Sequence, residues 1–304
     1  MKFITQFLVL LISLSSPLAH ADLKIFATVP EWGALAQTLG GDKVKVYTAT
    51  TGLQDPHRIQ ARPSLIANAR SANLVVATGA GLEDGWLPVV QREANNPAIL
   101  TGKPGFLAAT AYVRMLDIPA VVDRTMGDVH AAGNPHIQTD PRNMLPIGRA
   151  LSARLEQLDP DNAAYYRSRG EQFQSAWQSN LVRWQQLAAP LRGVKIWAQH
   201  DGYPYMNAWL GLNQVGVLEP RPGVEPSTRQ LAEILQRQQT VQARMVIVSA
   251  YMNDAPARWL SEKSGIPEVV LPFTVGGNER VTSLAELYDQ TLGLLLAALK
   301  QSTP

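Results

Sequence analysis

Residues 159–187 read DPDNAAYYRSRGEQFQSAWQSNLVRWQQL, a run with no proline after Pro160 and a single glycine. Asp159-Pro160 supplies a helix N-cap followed by proline at the first helical position, where its missing N–H costs nothing. From Asp161 onward the run predicts one helix, roughly 40 Å long at 1.5 Å per residue. That is more than one small lobe needs. A coiled-coil stalk is the competing reading, but the apolar residues keep no heptad and the helix stands alone. The run is therefore expected as a rigid connector between two lobes, preceded by an amphipathic helix over 143–158 with Pro146 near its start.

Outward from this connector, both flanks alternate strand and helix. On the N-terminal side, residues 24–29 (KIFATV), 44–50 (VKVYTAT) and 74–78 (LVVAT) read as strands, with helices over 31–39 and 63–70 between them. The last of these strands is almost wholly apolar, as strands covered on both faces of a parallel sheet are. After residues 79–86 (GAGLEDGW), whose glycines predict a structural turn and not a phosphate loop, the text is less regular. On the C-terminal side, strands are expected at 195–198, 214–218, 245–249 and 268–273, and helices at 227–238, 256–263 and 283–299. The expected fold class is α/β: two Rossmann-like lobes with parallel sheets, joined by one long backbone helix. The division is 1–21 signal peptide, 22–141 N-terminal lobe, 142–189 connecting helices and 190–304 C-terminal lobe.

The signal peptide rests on Lys2, the apolar run over 7–12 and the small-x-small sequence Ala19-His20-Ala21. The apolar core is well short of the roughly 20 residues of a spanning helix. An exported, soluble, monomeric chain starting at Asp22 is expected, without membrane insertion. With no cysteine, the chain offers no disulfide, no thiolate ligand and no site for a lipid anchor. The 27 basic and 25 acidic residues form no basic cluster, which excludes a phosphate-tracking nucleic-acid surface.

Four histidines then remain: His57, His130, His136 and His200. Residues 126–141 (MGDVHAAGNPHIQTDP) must be a loop, because Gly133 and Pro135 break regular structure. His136 inside it is the first candidate for a metal ligand, against the plainer reading of a loop histidine that binds a backbone carbonyl or faces water. His57 follows a strand and His200 ends another. In open parallel sheets ligands bind beyond the carboxyl ends of the strands, so all three can converge in the cleft between lobes. Their wide separation means that no local element holds two of them, and the site forms only when both lobes are folded. Three imidazoles plus one oxygen suit tetrahedral zinc; manganese calls for more carboxylate oxygens. A secreted zinc hydrolase would use the same donor set with an open position, but no carboxylate is identifiable as its general base.

Taken in order, DPH at 55–57, ATGAGLEDGWL at 77–87, GNPHIQTDP at 133–141, LDPDNAAYY at 158–166, QHDGYPYMNAWLGL at 199–212 and EPSTRQLAEI at 225–234 resemble the periplasmic metal-binding proteins of zinc and manganese ABC importers. The resemblance covers essentially the whole chain after the signal segment. It implies capture of Zn(II), with Mn(II) as the alternative, and delivery to an ABC permease, with no reaction catalysed. His57, His136 and His200 fall on the three positions where the zinc-binding members place histidine. The family's aspartate would fall near residues 271–273, where no acid stands, so Glu279 is the expected oxygen donor, with Asp254 or water as alternatives. Of the long histidine- and acid-rich loop found in many zinc members only Asp128 and His130 remain, which leaves His130 as an accessory ligand. Gln138 stands where a tryptophan is common.

Overall fold

The computed structural model describes residues 22–121 and 130–302. The expected signal peptide and Asp128 lie outside the described residues. Among these, no helix is long and apolar enough to cross a membrane.

The first half runs β1 (Leu23–Ala27), α1 (Pro30–Gly40), β2 (Val44–Thr48), α2 (Pro63–Ser71), β3 (Leu74–Ala77), α3 (Leu87–Ala94) and β4 (Phe106–Ala108). Two helices, α4 (Met144–Leu158) and α5 (Ala163–Leu187), lead to the second half. That half contains β5 (Lys195–Ala198), α6 (Pro204–Leu210), β6 (Asn213–Val217), α7 (Thr228–Val241), β7 (Met245–Ser249), α8 (Ala255–Ser264), β8 (Glu268–Leu271) and α9 (Leu284–Gln301). Every strand pairing is parallel. The two sheets share one order, β2-β1-β3-β4 and β6-β5-β7-β8. The fold is α/β with two parallel-sheet lobes and a long helix between them, as the strand and helix pattern implies.

Three elements escape the sequence pattern. α3 spans 8 residues, β4 3 and α6 7, all too short to display a period of their own. Proline at the start of α3 and α6 marks their N-termini, and Asn95 ends α3 in the left-handed region at φ 51°.

β3 and β7 are buried at every position, because helices cover both faces of each sheet. On the outer face of the first sheet Phe26 and Val75 pack against Leu65 of α2 and Val90 of α3. In the second, Trp197, Val246 and Val248 meet Ile234 of α7 and Leu260 of α8. The inner faces belong to one common core, where Ile25, Val76 and Trp32 join Ile196, Ile247 and Leu295 through Leu151 of α4 and Trp177 of α5. The long helix is thus packed, not solitary. Gly170 sits so close to α4 that a Cβ there would lie 2.5 Å from the Ser152 hydroxyl oxygen. Further along, Trp177 and Trp184 contact Tyr288 of α9 at ring centroids of 5.6 and 5.1 Å, and the Trp184 indole N–H donates to Asp289 Oδ1 at 2.7 Å.

The halves also meet directly along a seam beside the strand ends. A Cβ on Gly52 would fall 2.3 Å from the carbonyl carbon of Gly276, so the two backbones touch. Thr274 Oγ1 donates to Glu31 Oε2 at 2.5 Å, and Arg58 reaches the Gly223 carbonyl at 3.3 Å.

Candidate metal centre

His57, His136 and His200 arrive from three separate loops, and each loop is held by bonds the local sequence supplies. Asp55 Oδ1 accepts from the His57 backbone N–H at 3.0 Å, the turn that an Asx residue favours two positions ahead, and the Trp86 indole donates to the Pro56 carbonyl at 3.1 Å. The same geometry recurs at Asn134, whose Oδ1 accepts from His136 N at 3.0 Å, while Thr139 Oγ1 donates to the His136 carbonyl at 2.9 Å. Asn134 also fastens its loop to the second half, donating to the Asp201 carbonyl at 2.8 Å and accepting from Tyr205 Oη at 2.9 Å. His200 stands two residues past the end of β5, and Gly202 leaves room for it: a Cβ there would come within 3.3 Å of both the His200 ring and Phe273.

The rings meet. His57 and His136 have centroids 5.4 Å apart, His136 and His200 5.7 Å, and His57 and His200 6.4 Å. Imidazoles on one tetrahedral ion, with metal–nitrogen bonds near 2.0–2.1 Å, place their centroids about 5 Å apart. His130 joins this group from the central loop, 5.3 Å from His57 by centroid. It lines one cavity with His136, His200, Asp117, Asn134, Asp201 and Pro222. The rings are gathered but not closed: among the described residues no three His, Cys, Asp or Glu side chains already stand in an arrangement that could hold an ion. Closing it requires the rings to turn toward a common point.

Two carboxylates decide which nitrogen each ring offers. His57 Nδ1 lies 2.8 Å from Asp55 Oδ1, and His200 Nδ1 lies 2.8 Å from Glu219 Oε2. An ionised carboxylate only accepts, so Nδ1 carries the proton in both rings and Nε2 keeps its lone pair. Burial opposes ionisation of Asp55, but the hydrogen bonds and charge of His57, with Arg58, outweigh it and hold its carboxyl below the ordinary range. Glu219 Oε2 also accepts from Gly223 N at 3.0 Å, which fixes the carboxylate that fixes the ring.

His136 is the most enclosed of the three at 2% exposure. Burial first, and then the charge that His57, His200 and His130 carry when protonated, hold its pKa well below the usual value. It therefore stays neutral, the form in which imidazole binds metal. Phe273 packs edge-on to it at 5.0 Å, and Tyr203 and Tyr251 pack on Phe273 in turn, giving the pocket an apolar wall.

Glu279 is solvent-exposed in the turn after β8 and lines neither of the two cavities that His136 borders. Asp254, at the start of α8, is paired with Arg258 at 2.9 Å. Gln138 is buried and ties the central loop to the second half, its amide donating to the Phe273 carbonyl at 3.4 Å and its own carbonyl accepting from Tyr288 Oη at 2.8 Å. The glycine-rich turn after β3 is structural. Gly79 and Gly81 take φ of +85° and +88°, and buried Glu83 closes the turn by accepting from Thr78 N and Gly79 N at 2.7 and 2.9 Å. The orienting role of Glu219 leaves no signal in the sequence beyond an acid after a strand. Asp55 does leave one, its place two residues before a histidine.

Residues 25–300 match the family described as the periplasmic component A of a zinc-uptake complex, ZnuA. Among curated proteins, a putative metal-binding protein of Treponema pallidum (strain Nichols) is 23% identical, covering 96% of this chain and 93% of its own length. The manganese ABC transporter substrate-binding lipoprotein PsaA of Streptococcus pneumoniae is 21% identical, with 86% and 82% covered. The fold matches a crystal structure of ZnuA at a TM-score of 0.74 and 21% identity, covering 93% of this chain and 98% of that one. The chain belongs to the zinc-uptake component family, the metal-binding substrate-binding proteins of ABC importers.

Proposed function

We propose that this protein captures Zn(II) in the periplasm, between its lobes, through His57, His136, His200 and one further donor, and releases it to an ABC permease. What carries the reading is the convergence of imidazoles from separate loops, two of them with Nδ1 held by Asp55 and Glu219 at 2.8 Å. Such carboxylate–histidine pairs fix ring orientation and raise the basicity of the nitrogen that binds. Nitrogen-rich sites suit zinc, while manganese is better served by oxygens. No step of chemistry is needed. The lobes contribute a pocket walled on one side by Phe273, and the ion leaves unchanged.

The test is a chelator-competition titration of the purified full chain with Zn(II) and Mn(II), beside His200→Ala. Zinc should bind in preference to manganese, and loss of the ring should weaken zinc by more than about 100-fold, since even outer partners of ligands are worth 10–100-fold. Zinc affinity in His200→Ala equal to the parent's, or tighter binding of manganese than zinc, would overturn the reading.

A further inference from the structure

We propose that the further donor is the imidazole of His130, so that the captured ion is held by four nitrogens and no carboxylate. The inference rests on the zinc-capture reading and sharpens it. His130 Nε2 lies 3.2 Å from His57 Nε2. Two nitrogens bound to one tetrahedral ion at 2.0–2.1 Å stand about 3.3 Å apart, so this pair already has the separation of two ligands on a shared centre. Because His57 Nδ1–H donates to Asp55, His57 Nε2 is an acceptor, and the contact is an N–H donated by His130 Nε2. An ion is taken up between them by the other tautomer of His130, in which Nδ1 carries the ring's single proton and the Nε2 lone pair faces the ion.

The turn after β3 shapes the seat for this ring. Gly81, at φ +88°, has no Cβ, and one built there would lie 3.1 Å from His130 Nδ1. The Nδ1 edge therefore rests beside the Gly81 backbone, where Asp84 Oδ2 lies 3.5 Å from the same built position, while Nε2 faces His57. His130 further shares a cavity with His136 and His200, so turning its ring inward moves it toward both.

The carboxylates that touch the inner rings are otherwise engaged. Asp55 and Glu219 are bonded to the far nitrogens of His57 and His200. The wall against His136 is the Phe273 ring, not an acid. Asp117 and Asp201 stand exposed at the rim, and Asp201 Oδ1 accepts from Gln214 at 3.1 Å. These two, or water, are the competing fourth donors. A donor set without carboxylate turns away ions that require oxygen, Mn(II) among them, and favours zinc and its borderline neighbours. Selectivity then resides in His130 more than in the three histidines of the inner cluster.

X-ray absorption fine structure at the zinc edge of the full chain, loaded with one equivalent, counts imidazoles by their outer-ring scattering. Four are expected. In chelator competition His130→Ala should bind zinc more than about 100-fold more weakly, while Asp117→Asn and Asp201→Asn bind within about twofold of the parent. His130→Asp, which restores an oxygen donor, should raise manganese affinity relative to zinc by about tenfold or more. Fine structure showing three imidazoles and an oxygen, or parental zinc affinity in His130→Ala, would overturn the four-nitrogen site. His200→Ala separates the two readings: if it loses zinc while His130→Ala keeps it, only His130 is wrongly assigned, and if it too keeps zinc, the capture reading falls.

Discussion

Glu219 shows how much a single side chain outside the ligand set can control. One of its oxygens receives both His200 Nδ1 and Gly223 N, and the carboxylate is 7% exposed. Glu219→Ala leaves the His200 ring free to turn and to hold its proton on either nitrogen. Zinc affinity should fall about 10–100-fold with the circular dichroism spectrum unchanged, as read by chelator competition. Affinity within twofold of the parent would mean that the ring is held by other contacts. Glu31 gives a pH prediction of a different kind. Burial raises its pKa, the nearby Glu83 adds to the rise, and the Thr274 hydrogen bond only partly offsets it, so the value stands at about 7 against 4.5 for the free group. The native state thus keeps a proton that the unfolded chain gives up. The contribution to stability is fully present below pH 4.5 and is lost as pH rises toward about 7. Glu31→Gln removes this loss, so urea denaturation should find the variant more stable than the parent by about 1–3 kcal/mol at pH 8 and nearly equal at pH 4. Curves with the same pH dependence in both proteins would show that Glu31 ionises freely in the fold.

Among the elements, α5 is the one whose length the sequence declares and whose surroundings it does not. Trp184 is fully buried against α9 and donates to Asp289, while Val182, two positions earlier on the same helix, is 59% exposed. Trp184→Ala should therefore cost about 3–5 kcal/mol by removing a large core side chain, whereas Val182→Ser should stay within about 0.5 kcal/mol. Denaturant unfolding of the two variants checks this, and similar values for both would contradict the packing of α5 on α9. The short elements illustrate the opposite case. α3, β4 and α6 are set by neighbours that cover them, and the amphipathic stretch in each is too brief to be seen against the surrounding loops.

At the scale of the whole molecule, the two sheets are continuous with one core, and the seam beside the strand ends brings glycine backbone against glycine backbone. Gly52→Ala inserts a methyl group where Gly276 stands at 2.3 Å. The loop that carries His57 must then retreat. We expect a loss of about 1–3 kcal/mol in stability and a weakening of zinc binding in the same variant. Small-angle scattering together with a zinc titration tests it, and an unchanged radius of gyration with unchanged affinity would mean that the seam yields at no cost to the site.

The chain by itself determined the class of the fold, because strand, helix and turn follow from apolar period, proline and glycine positions that need no partner to be read. It also determined which atoms are available for metal: with no cysteine there is no thiolate, and four imidazoles lie within the described residues. Tertiary structure alone decided which of them meet, which nitrogen each offers and which acids stay away. Glu279 and Asp254 look as eligible as Glu219 in one dimension, yet only Glu219 reaches a ring, because Asp254 pairs with Arg258 and Glu279 is left on an exposed turn. The reason is physical. A coordination site is a statement about angles and distances of a few ångströms between residues far apart along the chain, and those are fixed by the packing of two lobes on a common core, which no local pattern encodes.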